Sequence, residues 1–113
     1  MLPQSNRLKK RKDFDNVFKK GRGFKEKSLF LKIAGNNLKA SRFGFVVGKS
    51  LSKKATVRNK IKRRLRKSIQ DRLPKIKTGF DAVLVAQKGI EKEKFQDTAE
   101  TIGKILAKAK LLC

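Results

Sequence analysis

The sequence predicts one α+β domain, an α/β sandwich in which helices pack on a small mixed sheet in the order α-β-β-β-α-β-α. Three observations lead there. The chain has 113 residues, enough for one modest core spanning residues 1–113 and too few for a second. Three segments repeat apolar residues at spacings of three and four, which is the period of one helix face. Between them lie short runs rich in β-branched and aromatic residues, bounded by glycine and asparagine. Elements of these two kinds bury their apolar sides only by stacking helices on a sheet.

Residues 1–12 are polar and basic, and "RLKKRK" is expected to be mobile or to dock only on a partner. Asp13 is a candidate cap for a short helix carrying Phe14, Val17 and Phe18, with Gly21 as its stop. "GRGFKEK" leads into a strand over 28–34, "GNN" at 35–37 marks a turn, and "RFGFVVGKS" at 42–50 holds the next strand. Gly44 and Gly48 weaken strand propensity there but permit close backbone approach.

A longer helix follows, with Ser52 or Thr56 as N-cap and Pro74 ending it near Arg72 or Leu73. Val57, Ile61, Leu65, Ile69 and Leu73 recur every fourth residue and make one apolar row. "TGFDAVLVAQKG" at 78–89 contains another strand, with Val83 and Val85 on one face. From about Lys92, the residues Phe95, Ala99, Ile102, Leu106 and Ala109 fall at helical spacing.

Composition narrows the function. Lys and Arg number 32 against 9 Asp and Glu, a formal charge of +23 with no histidine. Self-repulsion on that scale calls for a polyanionic partner. The longest apolar run near the C-terminus, "AVLVA" at 82–86, is too short to span a bilayer, and the basic N-terminus has no apolar signal-peptide core. Cys113 is the only cysteine, so neither a disulfide nor a cysteine metal site can form within the chain. A cytoplasmic protein with no membrane partner is the expectation. Without histidine, Ser-His and Cys-His nucleophile systems are excluded, and the acids form no ligand pattern, so the chain by itself does not read as a catalyst.

The stretch "VRNKIKRRLRKSI" at 57–69 carries the main functional signal. Seven of the ten residues from Arg58 to Lys67 are basic. On a helix, Arg58, Lys62 and Arg66 form one row, with Asn59, Arg63 and Lys67 beside it. Charged helix faces normally alternate sign at i and i+4, whereas like charges here cost a few tenths of a kcal/mol per pair, or about 0.3. Arg58 also sits near the positive end of the helix dipole. A solvated face would not be built this way, so polyanion binding is the better reading. A continuous Arg/Lys surface suits phosphates more than base edges, and structured RNA fits it better than a DNA major groove. Asn59 adds hydrogen bonding to that surface, or else serves the start of the helix.

The aromatics point the same way. Phe14 and Phe18 share a helix face, while Phe30, Phe43 and Phe45 lie on strands, and most of these five are expected in the core. A sheet face flanked by Phe14, Phe18 and lysines would form a cleft able to stack single-stranded bases.

The order "RFGFVVGKS … ATVRNKIKRRLRKSI … FDAVLVAQKG" resembles the protein subunit of bacterial ribonuclease P. The family's signature, Ala-x-x-Arg-Asn-x-x-Lys-Arg-x-x-Arg, is filled by Ala55, Arg58, Asn59, Lys62, Arg63 and Arg66. Its "RL…F…VF…G" opening is similar to Arg7, Leu8, Phe14, Val17, Phe18 and Gly21. The resemblance spans roughly residues 6 to 109. It implies a left-handed βαβ crossover containing the signature helix, although such connections are ordinarily right-handed.

It further implies that the catalytic RNA subunit uses Mg²⁺ to remove the 5′ leader of precursor tRNA, giving the mature 5′ end, while the protein binds no cofactor of its own. Arg58, Asn59, Lys62, Arg63 and Arg66 would hold the catalytic RNA. Phe14, Phe18 and Lys49 would meet the leader, and no obligate protein partner is implied. Three positions depart from the family pattern: Ser50 follows Lys49 where many relatives have a second lysine, Gln87 replaces a common basic residue, and Lys32 stands where some relatives have tyrosine. Composition alone would also allow a ribosomal-type protein or RNA chaperone. Against that stands the Arg58-Asn59 signature combined with the Phe14/Phe18 pair. A DNA-binding repressor lacks an evident second recognition element.

Overall fold

The first helix, α1 (Arg11–Lys20), forms because Phe14, Val17 and Phe18 give it one apolar side. It stops at Gly21, whose N–H donates to the Val17 carbonyl at 2.7 Å. A Cβ at Gly21 would sit 2.3 Å from that oxygen, so only glycine lets the chain turn directly into the sheet. The structure, a computed structural model, describes residues 2–112, and Cys113 lies outside them.

Four strands follow from the alternating runs: β1 (Arg22–Glu26), β2 (Leu29–Gly35), β3 (Arg42–Val46) and β4 (Phe80–Ala86). Their order across the sheet is β1-β2-β4-β3. The first three neighbours pair antiparallel, and β3 pairs parallel with β4. A parallel neighbour requires a crossover, and the long helix α2 (Ala55–Arg72) supplies it. The chain ends with α3 (Phe95–Lys108), which completes the expected α-β-β-β-α-β-α order.

Strand alternation divides the sheet into two faces. On one, Leu31 lies opposite Leu84, Ile33 opposite Ala82 and Phe43 opposite Ala82. These pack against Ile61, Leu65 and Ile69 of α2 and Ile102, Ile105 and Leu106 of α3. The other face carries Val83, buried against Val17 of α1 and Leu8, with Val46 and Val85 at its margin. Central strand β4 is therefore covered on both sides, whereas α1 covers only part of the second face.

Several local expectations are corrected. Residues 2–10 lie against the domain: Leu2 is 1% exposed in the main core, Leu8 is buried, and the Leu8 N–H donates to the Phe43 carbonyl at 2.9 Å. Arg7 forms a parallel bridge with Phe43, so this segment covers the open edge of β3. The unpaired edge and two leucines dominate over the charges between them. Asp13 does not cap α1, which begins two residues earlier with Lys10 as a cap lacking any side-chain bond. Likewise, α2 starts from Lys54, Ser52 Oγ accepts the Lys54 N–H at 3.3 Å in the preceding turn, and Thr56 is already inside the helix. In α3, Phe95 is 37% exposed, and the buried stripe runs through Thr98, Thr101, Ile102, Ile105 and Leu106. That helix closes with paired bonds from Lys110 N–H to Ala107 and Leu111 N–H to Leu106, placing Lys110 in a left-handed conformation usually given to glycine.

The carboxylate displaced from capping serves the sheet. Arg42 grips buried Asp81 through two bonds, Nε to Oδ1 at 2.8 Å and Nη2 to Oδ2 at 2.7 Å. Asn36 Nδ2 adds a third bond to Asp81 at 2.8 Å, and Asp13 reaches Arg42 Nη1 at 3.5 Å. The hydrogen bond to Asp81 raises the Arg42 pKa above its ordinary value. Arg42 and Asp81 are register partners, so this cluster ties β3, β4 and α1 at one end of the sheet. Replacing Arg42 with alanine should leave Asp81 buried without its cation and cost about 3 kcal/mol, measurable by denaturant unfolding.

Candidate RNA interface

The apolar row of α2 faces the sheet, which fixes where its cations point. Ile61, Leu65 and Ile69 are buried, while Asn59, Lys60, Arg63 and Lys67 are exposed. Thr56, Asn59, Arg63, Arg66, Lys67 and Gln70 line an open groove of about 630 Å³ along the helix. Arg66 also borders a smaller hollow of about 230 Å³, where Lys62 joins Arg7, Lys9 and Phe14. Three of the five signature residues expected to hold RNA thus share one groove, and Lys62 is linked to it through Arg66. Arg58 is not in that groove: its Nη1 donates to the Ser52 carbonyl at 2.8 Å and braces the turn before α2.

The second feature is the part of the sheet that α1 leaves uncovered. The Phe14 ring packs closely against Gly44, where a Cβ would come within 2.4 Å of ring carbons. Phe30 lies similarly over Gly23, at 2.8 Å from a Cβ position. These glycines let two rings settle onto the sheet. Phe18, one turn beyond Phe14 on the same side of α1, is 39% exposed. Beneath it, Lys32 Nζ donates to the Phe18 carbonyl at 2.6 Å. Lys49 is exposed in the turn after β3. Of the five phenylalanines weighed in the sequence, only Phe43 is fully buried; Phe14, Phe30 and Phe45 are half-buried.

A basic helix groove beside a half-open aromatic sheet face is the geometry on which the comparisons bear. The Ribonuclease P family model matches residues 2–110. The chain belongs to the ribonuclease P protein component family. A Pseudanabaena ribonuclease P protein component is 39% identical over 113 residues, covering 99% of this chain and 97% of the relative. The Staphylococcus aureus RNase P protein superposes with a TM-score of 0.88 at 26% identity, covering 96% of this chain and 98% of that one. The Thermotoga maritima RNase P protein gives a TM-score of 0.82 at 31% identity, covering 88% and 94%. Members of this family are parts of an endoribonuclease ribonucleoprotein of tRNA processing, so an RNA complex is the partner. No described helix is long and apolar enough to cross a membrane.

For a ribonuclease P protein, the sorting of cations along α2 separates binding from folding. Arg72 Nη2 donates to the Ala99 carbonyl at 2.8 Å, its guanidinium lying where Gly103 leaves room on α3. Arg64 reaches the Glu93 carbonyl at 3.3 Å. Lys67 pairs with Asp71 at 3.0 Å, an exposed pair. Charge runs alone could not reveal this division, because it depends on what lies across from each residue. The Lys32 bond to Phe18 was equally hidden, although its alternation with Phe30 places both on the cleft side. Arg72→Ala should lower stability by about 1.5 kcal/mol. Arg63→Ala should leave the melting temperature unchanged, and paired thermal melts would show the contrast.

Proposed function

We propose that the chain assists ribonuclease P by holding the catalytic RNA on α2 and the 5′ leader of precursor tRNA in the half-open cleft. The observation that carries this reading is the groove of Asn59, Arg63 and Arg66, which no acidic side chain lines. Most of the acids are committed elsewhere: Asp13 and Asp81 to Arg42, Glu26 to Lys108, Glu93 to Ser28 and Thr98, and Glu91 to the Gly89 N–H. The cationic face is therefore left to attract phosphate, and binding it there releases counterions from the RNA.

The chemistry falls to the RNA in this reading. The chain has no histidine, and among the described residues no group of three or more His, Cys, Asp or Glu is placed to hold a metal ion. The Mg²⁺ of the reaction would be held by RNA, and the protein's positive charge would lower the concentration needed by offsetting phosphate repulsion. Phe18 offers an exposed ring for base stacking, one helical turn beyond Phe14, and Lys49, exposed in the turn after β3, would serve as a backbone contact.

The deciding experiment is precursor-tRNA cleavage at low Mg²⁺ with a bacterial ribonuclease P RNA alone, the protein alone, and both together. Cleavage is expected only from the pair. No stimulation with several such RNAs would favour a general RNA chaperone, and cleavage by the protein alone would place an active site in the chain. Phe18→Ala should weaken binding of leader-bearing tRNA relative to mature tRNA by about 1–3 kcal/mol without lowering the melting temperature.

A further inference from the structure

Four cations from three separate parts of the chain line a place that neither α2 nor the Phe14/Phe18 cleft includes. Lys20 ends α1, Arg22 begins β1, Lys77 precedes β4, and Lys110 follows the end of α3. Together with Asn16 and Phe80 they line an open hollow of about 570 Å³. On α1, Asn16 is about 200° around the helix from Phe14, and Lys20 is the same angle from Phe18. The hollow therefore occupies the opposite flank of that helix from the aromatic cleft.

No acidic side chain lines the hollow. Asp81, next to Phe80 on β4, is buried and held by Arg42 and Asn36. The side chains of Lys20, Lys77 and Lys110 have no hydrogen-bond or ion-pair partner among the described residues. Among the described residues, the Arg22 guanidinium lies over the Phe24 ring, 5.7 Å from its centroid. Complementing helix dipoles accounts for Lys20 and Lys110 singly, since each lies at a helix C-terminus. It does not account for Lys77 and Arg22 lining the same hollow. Lys110 is also held at a φ of 59°, where glycine would sit without strain. The fold thus keeps a charged residue in a conformation usually given to glycine at the edge of this hollow.

We infer that this hollow is a second anchoring site for RNA backbone phosphates, independent of α2. Contacts of this kind position a strand without reading its sequence. They would let the protein hold RNA on two sides of the domain at once. The inference rests on the RNA-partner reading above.

The test compares two variants of the full chain for binding to ribonuclease P RNA across a salt series. One carries Lys20→Gln, Lys77→Gln and Lys110→Gly; the other carries Arg63→Ala and Arg66→Ala. Removing three phosphate contacts should reduce the slope of log affinity against log salt by about 2, and the two sets of changes should add. The first variant should melt no lower than the parent, because glycine relieves the strain at position 110. An unchanged slope in the first variant with weakened binding in the second overturns the second site and leaves α2 as the grip. The reverse outcome overturns the α2 reading and supports this one. Amine acylation of the unaltered protein is the independent check: Lys77 and Lys110 should be protected in the RNA complex, and full reactivity there overturns the inference.

Discussion

The packing of one apolar row of α2 against the sheet is the constraint on which the remaining structure depends. Ile61, Leu65 and Ile69 are buried in the main core, where α2 packs on β3 and α3. Each such side chain contributes on the order of 1.5–3 kcal/mol. Like-charge neighbours on the outer rows cost only a few tenths each, or about 0.3 kcal/mol. Burial therefore prevails, the helix forms despite its charge, and its cations have nowhere to go but outward. The parallel pairing of β3 and β4 is the other half of the same arrangement, because the chain passes from one to the other through α2.

The sheet is used differently on its two faces. Toward α2 and α3 it is a closed apolar layer. Toward α1 it is covered at Val83 and left half-open where Phe30, Lys32 and Val85 lie. Gly23 and Gly44 allow aromatic rings to lie directly on the backbone, so the uncovered part is apolar and accessible rather than collapsed. Polar economy complements this shape. Several of the few acids hold strands and loops together, most clearly in the Arg42–Asp81 pair. Positive charge remains for the surface.

Much of the architecture was legible because it follows local periodicity. The order of elements, the stop of α1 at Gly21, the end of α2 before Pro74 and the buried row on α2 all agree with the sequence reading. The errors share a cause. Asp13, Ser52 and Thr56 have capping chemistry, but the helices begin where tertiary contacts place them, from Lys10 and Lys54. The docking of the N-terminal segment on β3 was hidden because its charges are visible in the sequence and the free edge of β3 is not. Phe95 fits a helical stripe in sequence but lies at the first turn of α3, beyond the reach of the core.

The sequence by itself determined the fold class, the charge, the signature along α2 and the absence of histidine chemistry, because composition and spacing of three and four are properties of neighbouring residues. Only the tertiary structure decided which cations are free. Arg58, Arg64 and Arg72 are drawn to backbone carbonyls, while Asn59, Arg63 and Arg66 share an open groove. It alone joined Lys20 to Lys110 and laid Phe14 on Gly44. Those relations are set by strand register and by the placement of helices across the sheet, and residues far apart in the chain carry no local pattern that announces them.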